Sequence, residues 1–244
     1  MGKGIFVTGT DTGVGKTVVT ACLVSLLSNT GLDVGVMKPI ETGCPNRNGR
    51  LIPGDATFLK RVSHSKDDLS LISPYRFSKP LAPLIAAEID HKKIEIKKIR
   101  FAYQKLREKH DILFVEGAGG LLVPLTRKRT NLDLILELNM PIIVVVGSKL
   151  GAVNHTLLTL DRARESGVKI LGLLINQPSP SSSFRNRLVE KTNLGLIRSF
   201  TEVPIVGNIP YIPLISKPHL FPKPALTNIL KTAIDVEKFR TLIV

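Results

Sequence analysis

The residues Gly9 to Val19, GTDTGVGKTVV, hold the parts of a phosphate-binding loop: three glycines, then a lysine next to a hydroxyl. In such loops, backbone N–H groups turned inward by glycine and backed by a helix N-terminus surround phosphate oxygens. A lysine neutralises charge and a Ser or Thr hydroxyl holds magnesium. The usual pattern has four residues between its first Gly and the Gly-Lys-Ser/Thr. Here five residues, Thr10 to Val14, separate Gly9 from Gly15. The apolar run GIFVTG leads into the loop and a helical pattern starts at Lys16, which is the context the motif requires and favours phosphate binding over a structural glycine turn.

Magnesium prefers six oxygen ligands, so a single loop hydroxyl calls for acids elsewhere. Glu116 follows the apolar ILFV and precedes Gly117, Ala118, Gly119 and Gly120, at the carboxyl end of a strand where an open α/β sheet collects ligands. Asp55, in PGDATF, suits a metal ligand and a helix N-cap equally well. Lys38 closes the run VMK before Pro39, at the height of the site, and is read either as a site residue or as a solvent-facing lysine. Two cysteines make no disulfide framework. Cys22 falls among apolar residues of a helix and reads as a small buried hydrophobe, while Cys44 sits in a loop near the site with no histidine in local sequence to activate it.

These residues need a scaffold. GIFVTG, DVGVMK, DILFVEG, PIIVVVG and KILGLLINQ read as strands, with helices over 16–28 and 152–166 between them. Strand and helix in alternation predict one α/β domain over residues 1–244, a P-loop NTPase-like parallel sheet with helices on both faces. Between Gly43 and Ser78 the pattern weakens to an irregular excursion with a short helix around 55–61. Six prolines from Pro204 to Pro224 predict a loop over the sheet edge. Every apolar run is far shorter than the roughly 20 residues needed to span a bilayer, so the expectation is a soluble, cytoplasmic protein with no membrane partner.

The net charge of +14 raises the question of an anionic partner. From Asp90 to Lys109 there are eight Lys or Arg against three acids, but Ile94, Ile99, Ala102, Tyr103 and Leu106 recur at helical spacing. The cations then form the wet side of an amphipathic helix, and no specific nucleic-acid partner is expected. Arg127-Lys128-Arg129 reads the same way, with a nearby anionic ligand as the alternative.

In order, FVTGTDTGVGKT, KPIETG, GDA, VEGAGGLLVPL, VVVGSKLGAVNHTLLT, INQ and GNIPYI resemble the dethiobiotin synthetase family, which carries the same five-residue loop spacing. The resemblance implies ATP- and Mg2+-dependent closure of 7,8-diaminononanoate with CO2 (or bicarbonate) to dethiobiotin, ADP and phosphate. It implies that Lys16 and Lys38 hold carbamate and γ-phosphate oxygens and that Thr17, Asp55 and Glu116 bind the metal. Gly13, Val14, Gly15 and Val18 would complete the nucleotide loop, and Gly117, Ala118 and Gly119 would line the shared site. Asn176, Gln177 and Pro210, Tyr211 and Ile212 would flank adenine. Thr12 and Thr42 would contact substrate, and Leu150, Gly151 and Asn154 would reach the substrate carboxylate of a homodimer partner. Three positions depart from common family patterns: Gly13 replaces an acid, Thr42 a serine and Asn208 a glutamate. The rival class is the DNA-partition ATPases, whose signature lysine early in the loop falls here on Asp11. A cobyrinate-type amide ligase needs an appended glutamine-hydrolysing module with a nucleophilic cysteine, for which the chain has neither the length nor the cysteine.

Overall fold

The computed structural model describes residues 2–180, 184–213 and 224–243. In chain order the strands are β1 (Lys3–Gly9), β2 (Val34–Met37), the short β3 (Ile40–Glu41), β4 (Asn46–Arg47), β5 (Arg50–Leu51) and β6 (Tyr75–Arg76), then β7 (Ile112–Gly120), the short β8 (Pro124–Thr126) and β9 (Arg129–Thr130), and finally β10 (Ile142–Gly147), β11 (Ile170–Asn176) and β12 (Ile205–Ile209). The helices are α1 (Lys16–Ser28), α2 (Gly54–Val62), α3 (Leu69–Ile72), α4 (Pro83–Ile89), α5 (Ile96–Arg107), α6 (Asn131–Leu138), α7 (Ala152–Glu165), α8 (Phe184–Phe200), α9 (Pro224–Ala233) and α10 (Val236–Ile243).

Six strands form one sheet in the order β12-β11-β10-β1-β7-β2, and every neighbouring pair is parallel. Their apolar runs are buried along their length, as a sheet covered on both faces requires. The chain first winds from β1 to β2 at one edge, returns through β7, then crosses to β10 and outward, so the winding direction reverses beside β1. That reversal opens a crevice at the carboxyl ends of β1, β7 and β10. The register pairs Val7 with Glu116, Met37 with Val115 and Gly147 with Asn176, which aligns Gly9, Lys38, Glu116 and Asn176 along that edge.

Helix α1 starts at the residue after Gly15, whose φ of 88° closes the loop, and it buries side chains almost all round. In α5 only Ile99, Ala102, Tyr103 and Leu106 turn inward, and the cations of the opposite face stay exposed, as the periodicity predicts. The proline-rich stretch differs from expectation: Ile205–Ile209 is the edge strand β12 rather than loop. Pro204 and Pro210 bracket five residues without proline; four of them pair with β11, the register shifting at Val206, and Gly207 also bridges Ile234 on the other side. Residues 214–223 of that stretch lie outside the described residues.

At the opposite edge of the sheet, His110 stands between two aspartates, Nδ1 at 2.9 Å from Asp33 Oδ1 and Nε2 at 2.7 Å from Asp67 Oδ2. Lys109 adds an ion pair to Asp67 at 2.8 Å. Gly35 makes room for the ring, since a Cβ there would meet His110 Cδ2 at 2.2 Å. Burial opposes the charge of His110, yet hydrogen bonds to Asp67 and Asp33 outweigh it and raise the pKa above 6.5. Asp67 moves the other way, down to about 2, because the bonds from Lys109, Ser65 and His110 outweigh its burial. The stability from His110 is therefore complete below its unfolded pKa of about 6.5 and fades as pH rises through the raised folded value. The stability from Asp67 is present above its unfolded value of 3.8 and fades as pH falls towards 2. Thermal melts of His110→Gln against the parent should differ by about 2–4 °C near pH 5.5, the shift for about 1 kcal/mol in a chain of this size, and converge towards pH 9. A pH-independent difference would show that the imidazolium charge contributes nothing.

Candidate active site

The loop after β1 turns on Gly13 and Gly15, with φ of 75° and 88°. Nothing lies within 4 Å of where a Gly13 Cβ would point, whereas a Cβ on Gly15 would meet Asn176 Nδ2 at 2.2 Å. Asn176 is buried and donates from that same nitrogen to the Val14 carbonyl at 2.8 Å. The residue expected near adenine thus also fixes the loop backbone. Across the loop's mouth, Lys149 Nζ binds Asp11 Oδ2 at 2.7 Å and Thr12 N donates to Asp11 Oδ1 at 2.7 Å. The hydrogen bonds from Lys149 and Thr12 lower the Asp11 pKa.

Lys16 is only 7% exposed, and its Nζ donates to the Asp11 carbonyl at 3.2 Å. Burial and then the charge of Lys38 bring its pKa down to about 8, with Glu116, Asp55 and Asp11 partly opposing. Lys38 is not solvent-facing. Its ammonium is buried, in contact with Glu116 Oε1, and lies 3.1 Å from Asp55 Oδ2. Burial would depress its pKa, but the charges of Glu116 and Asp55 lift it above the usual lysine range. Thr17 Oγ1 donates to Glu116 Oε1 at 2.7 Å. Glu116 is fully buried, and its other oxygen, Oε2, has no partner among the described residues.

Asp55 is not an N-cap. The cap of α2 is Pro53, and Asp55 lies one residue inside the first turn. The cap function is supplied from outside the helix by Glu41, whose Oε1 and Oε2 accept from the backbone N–H groups of Asp55 and Ala56, both at 2.9 Å. Burial raises the pKa of Glu41, opposed by the Ala56 amide. Sequence reasoning passed over Glu41, because the helix it caps begins beyond an irregular excursion. It also missed Asn131, whose Nδ2 holds the carbonyls of Ala118 and Gly120 at 2.8 Å each and so fixes the glycine-rich end of β7. A Cβ at Gly117 would strike the Phe6 ring at 2.7 Å.

One pocket beside the loop is lined by Gly15, Val18, Asn176, Gln177, Pro210, Tyr211 and Ile212 among others. Gln177 Oε1 accepts from Tyr211 N at 3.4 Å, which joins the ends of β11 and β12. No hydrogen bond or ion pair among the described residues ties Thr42, Leu150, Gly151 or Asn154 to the carboxylate cluster. Leu150 is 69% exposed just ahead of the α7 N-cap Gly151, one residue beyond Lys149, and Thr42 follows Glu41 and is half-buried. Cys44 is buried and its thiol is pushed up to about 11 by burial and by Glu41, and Cys22 is fully buried with its thiol raised by desolvation. Neither cysteine has the character of a nucleophile.

The donor set suits magnesium: two carboxylates and a hydroxyl, with one carboxylate oxygen unpartnered. Among the described residues no group of three or more His, Cys, Asp or Glu is placed to hold a metal ion by itself.

A family model described as an AAA domain matches residues 3–219. The ATP-dependent dethiobiotin synthetase of Thermodesulfovibrio yellowstonii is 40% identical over 224 residues, covering 89% of this chain and 92% of that protein. The Bacillus velezensis enzyme of the same name is 34% identical over 240 residues, covering 98% and 97%. The chain belongs to the dethiobiotin synthetase family. Membership places it among the ligases of biotin biosynthesis that use a nucleotide co-substrate. Solved structures similar in fold include the septum site-determining protein MinD with Mg-ADP from Pyrococcus horikoshii, at TM-score 0.57 and 16% identity over 100% of this chain and 95% of that one. Another is pNOB8 ParA bound to nonspecific DNA, at TM-score 0.60 and 12% identity over 100% and 99%. At these identities the likeness is one of fold, and the family itself is defined by the dethiobiotin synthetase relatives. Among the described residues no helix is long and apolar enough to cross a membrane.

Proposed function

We propose that this protein closes 7,8-diaminononanoate and CO2 to the cyclic urea dethiobiotin at the expense of ATP. One substrate amine adds CO2 to give a carbamate. A carbamate oxygen attacks the γ-phosphorus and ADP leaves; the second amine then attacks the carbamoyl carbon, and phosphate departs as the ring closes. The observation that carries this reading is the meeting of Lys38, Glu116, Asp55 and Thr17 beside Lys16 and the glycine loop. Phosphoryl transfer needs alignment and charge neutralisation rather than a protein nucleophile, and two buried lysines supply both around two anions.

In this reading Lys16 and Lys38 hold the carbamate and γ-phosphate oxygens, and Thr12 contacts substrate at the loop. Thr17, Asp55 and Glu116 hold Mg2+, which would neutralise phosphate charge. Gly13, Val14, Gly15 and Val18 carry the phosphates, Gly117, Ala118 and Gly119 line the nucleotide and substrate site, and the pocket from Asn176 and Gln177 to Pro210, Tyr211 and Ile212 takes the adenine. Thr42 binds substrate, while Leu150, Gly151 and Asn154 serve the carboxylate of a substrate held by the second subunit of a homodimer. The chain acts as one domain over residues 1–244 in the cytoplasm. Purified protein given diaminononanoate, bicarbonate, magnesium and ATP should yield dethiobiotin by mass, with one ADP per product. ATP hydrolysis that is indifferent to diaminononanoate, with no urea product, would refute the assignment.

A further inference from the structure

The two basic segments singled out in the sequence, 90–109 and 127–129, meet in the structure. Both line one open groove of about 870 Å³, walled by α4, by the segment leading into α5, and by the β8–β9 hairpin. The groove shares no residue with the phosphate loop or the carboxylate cluster. Its floor is apolar: Leu84 and Ala87 of α4, Ile94 and Ile96 at the start of α5, and Leu125 of β8. Its rim carries Lys92, Lys93, Lys97, Arg100, Arg127, Lys128 and Arg129 against Glu88, Glu95 and Glu137.

The rim charges divide into two groups. Arg127 pairs with Glu88 at 2.7 Å, pinning the hairpin to α4, and Arg100 pairs with Glu137 at 3.6 Å, joining α5 to α6. Arg129 lies 3.8 Å from Asp133. These pairs hold the walls. Lys93, Lys97 and Lys128 form no ion pair among the described residues, so the groove keeps a cationic rim that its own carboxylates do not neutralise. The groove falls within the size of small-ligand sites, and an apolar bed beneath fixed cations fits a ligand with both characters. No Phe, Tyr or Trp lines it, so it offers no stacking platform for bases. A phosphodiester backbone would satisfy the rim and leave the apolar floor unused.

We infer that this groove is a binding site for an anionic amphiphile, an aliphatic chain ending in a carboxylate or phosphate. The chain lies along Leu84 and Ile96, the half-buried side chains of the floor, and the head group meets Lys93, Lys97 and Lys128. The inference is independent of the chemistry at the phosphate loop.

The test is a methyl and amide NMR titration of the full chain with nonanoate, nonyl phosphate and nonylammonium, each below its micelle concentration. The two anions should give saturable shifts centred on Leu84, Ile94, Ile96 and Leu125 with dissociation constants of about 1 mM or tighter, and nonylammonium should give none. The relative strength of nonanoate and nonyl phosphate assigns the head group. Lys93→Glu/Lys97→Glu/Lys128→Glu, at three exposed positions, should weaken both anions at least about 10-fold while leaving the unbound spectrum elsewhere unchanged. Should that variant not fold, Lys93→Gln/Lys97→Gln/Lys128→Gln serves with the same expectation. Equal binding of nonylammonium, shifts centred on the phosphate loop, no saturation, or unchanged affinity in the folded variant would each overturn the inference. So would a short DNA duplex that binds the groove with the same lysine dependence and excludes the anions.

Discussion

Replacing Lys16 by Gln should lower turnover roughly 10²–10³-fold, the loss typical of removing one fixed charge from a developing anion. The fold should survive, because Lys16 is destabilised where it stands: burial and the charge of Lys38 hold its pKa to about 8. Gln removes that repulsion, so the thermal midpoint should stay level or rise. A second readout follows from the same pKa. In the parent protein the Lys16 charge is lost as pH rises through about 8, so calorimetric ATP affinity should fall there, whereas in Lys16→Gln this dependence should be absent. Near-normal turnover in the variant would remove Lys16 from the phosphate site.

Lys38→Leu should do more damage and damage of a different kind. Product formation should fall by more than about 10³-fold, and nucleotide affinity by much less, because Lys38 is assigned to the carbamate. Yet Lys38 also neutralises Glu116, which is fully buried. Leaving that carboxylate without its cation costs about 3–5 kcal/mol, so the variant should melt well below the parent. Lys38→Leu/Glu116→Gln isolates the stability effect, since it removes the stranded charge and should recover much of the stability, while Glu116→Gln alone measures the activity lost with the metal ligand. Unaffected synthesis in a folded Lys38→Leu protein would take Lys38 out of the chemistry.

The strands of the central sheet were legible wherever burial on both faces made them continuous apolar runs, as in PIIVVVG and KILGLLINQ. Helix α1 was legible to its first residue because the loop that precedes it carries its own pattern. Strand β12 was not, because the density of prolines masked a five-residue gap long enough for an edge strand. Within the site, Lys16, Thr17 and Glu116 announce themselves through neighbours in the chain. Asp55 and Lys38 do not: their meaning lies in a 3.1 Å contact between segments with no shared pattern. Glu41 and His110 were invisible for the same reason. The partners of His110 are 77 and 43 residues away, and what Glu41 holds is a pair of backbone amides that only a folded α2 presents.

The contact between Gly15 and Asn176 makes two positions 161 residues apart into one steric unit. Any methyl group added at 15 must be accommodated by trimming 176, and trimming 176 releases the carbonyl of Val14 from its donor. A redesign of this loop for a bulkier or different triphosphate therefore has to leave Gly15 in place, since its φ of 88° would strain any side chain even beside a trimmed 176, and single-site libraries at either position will return mostly failures.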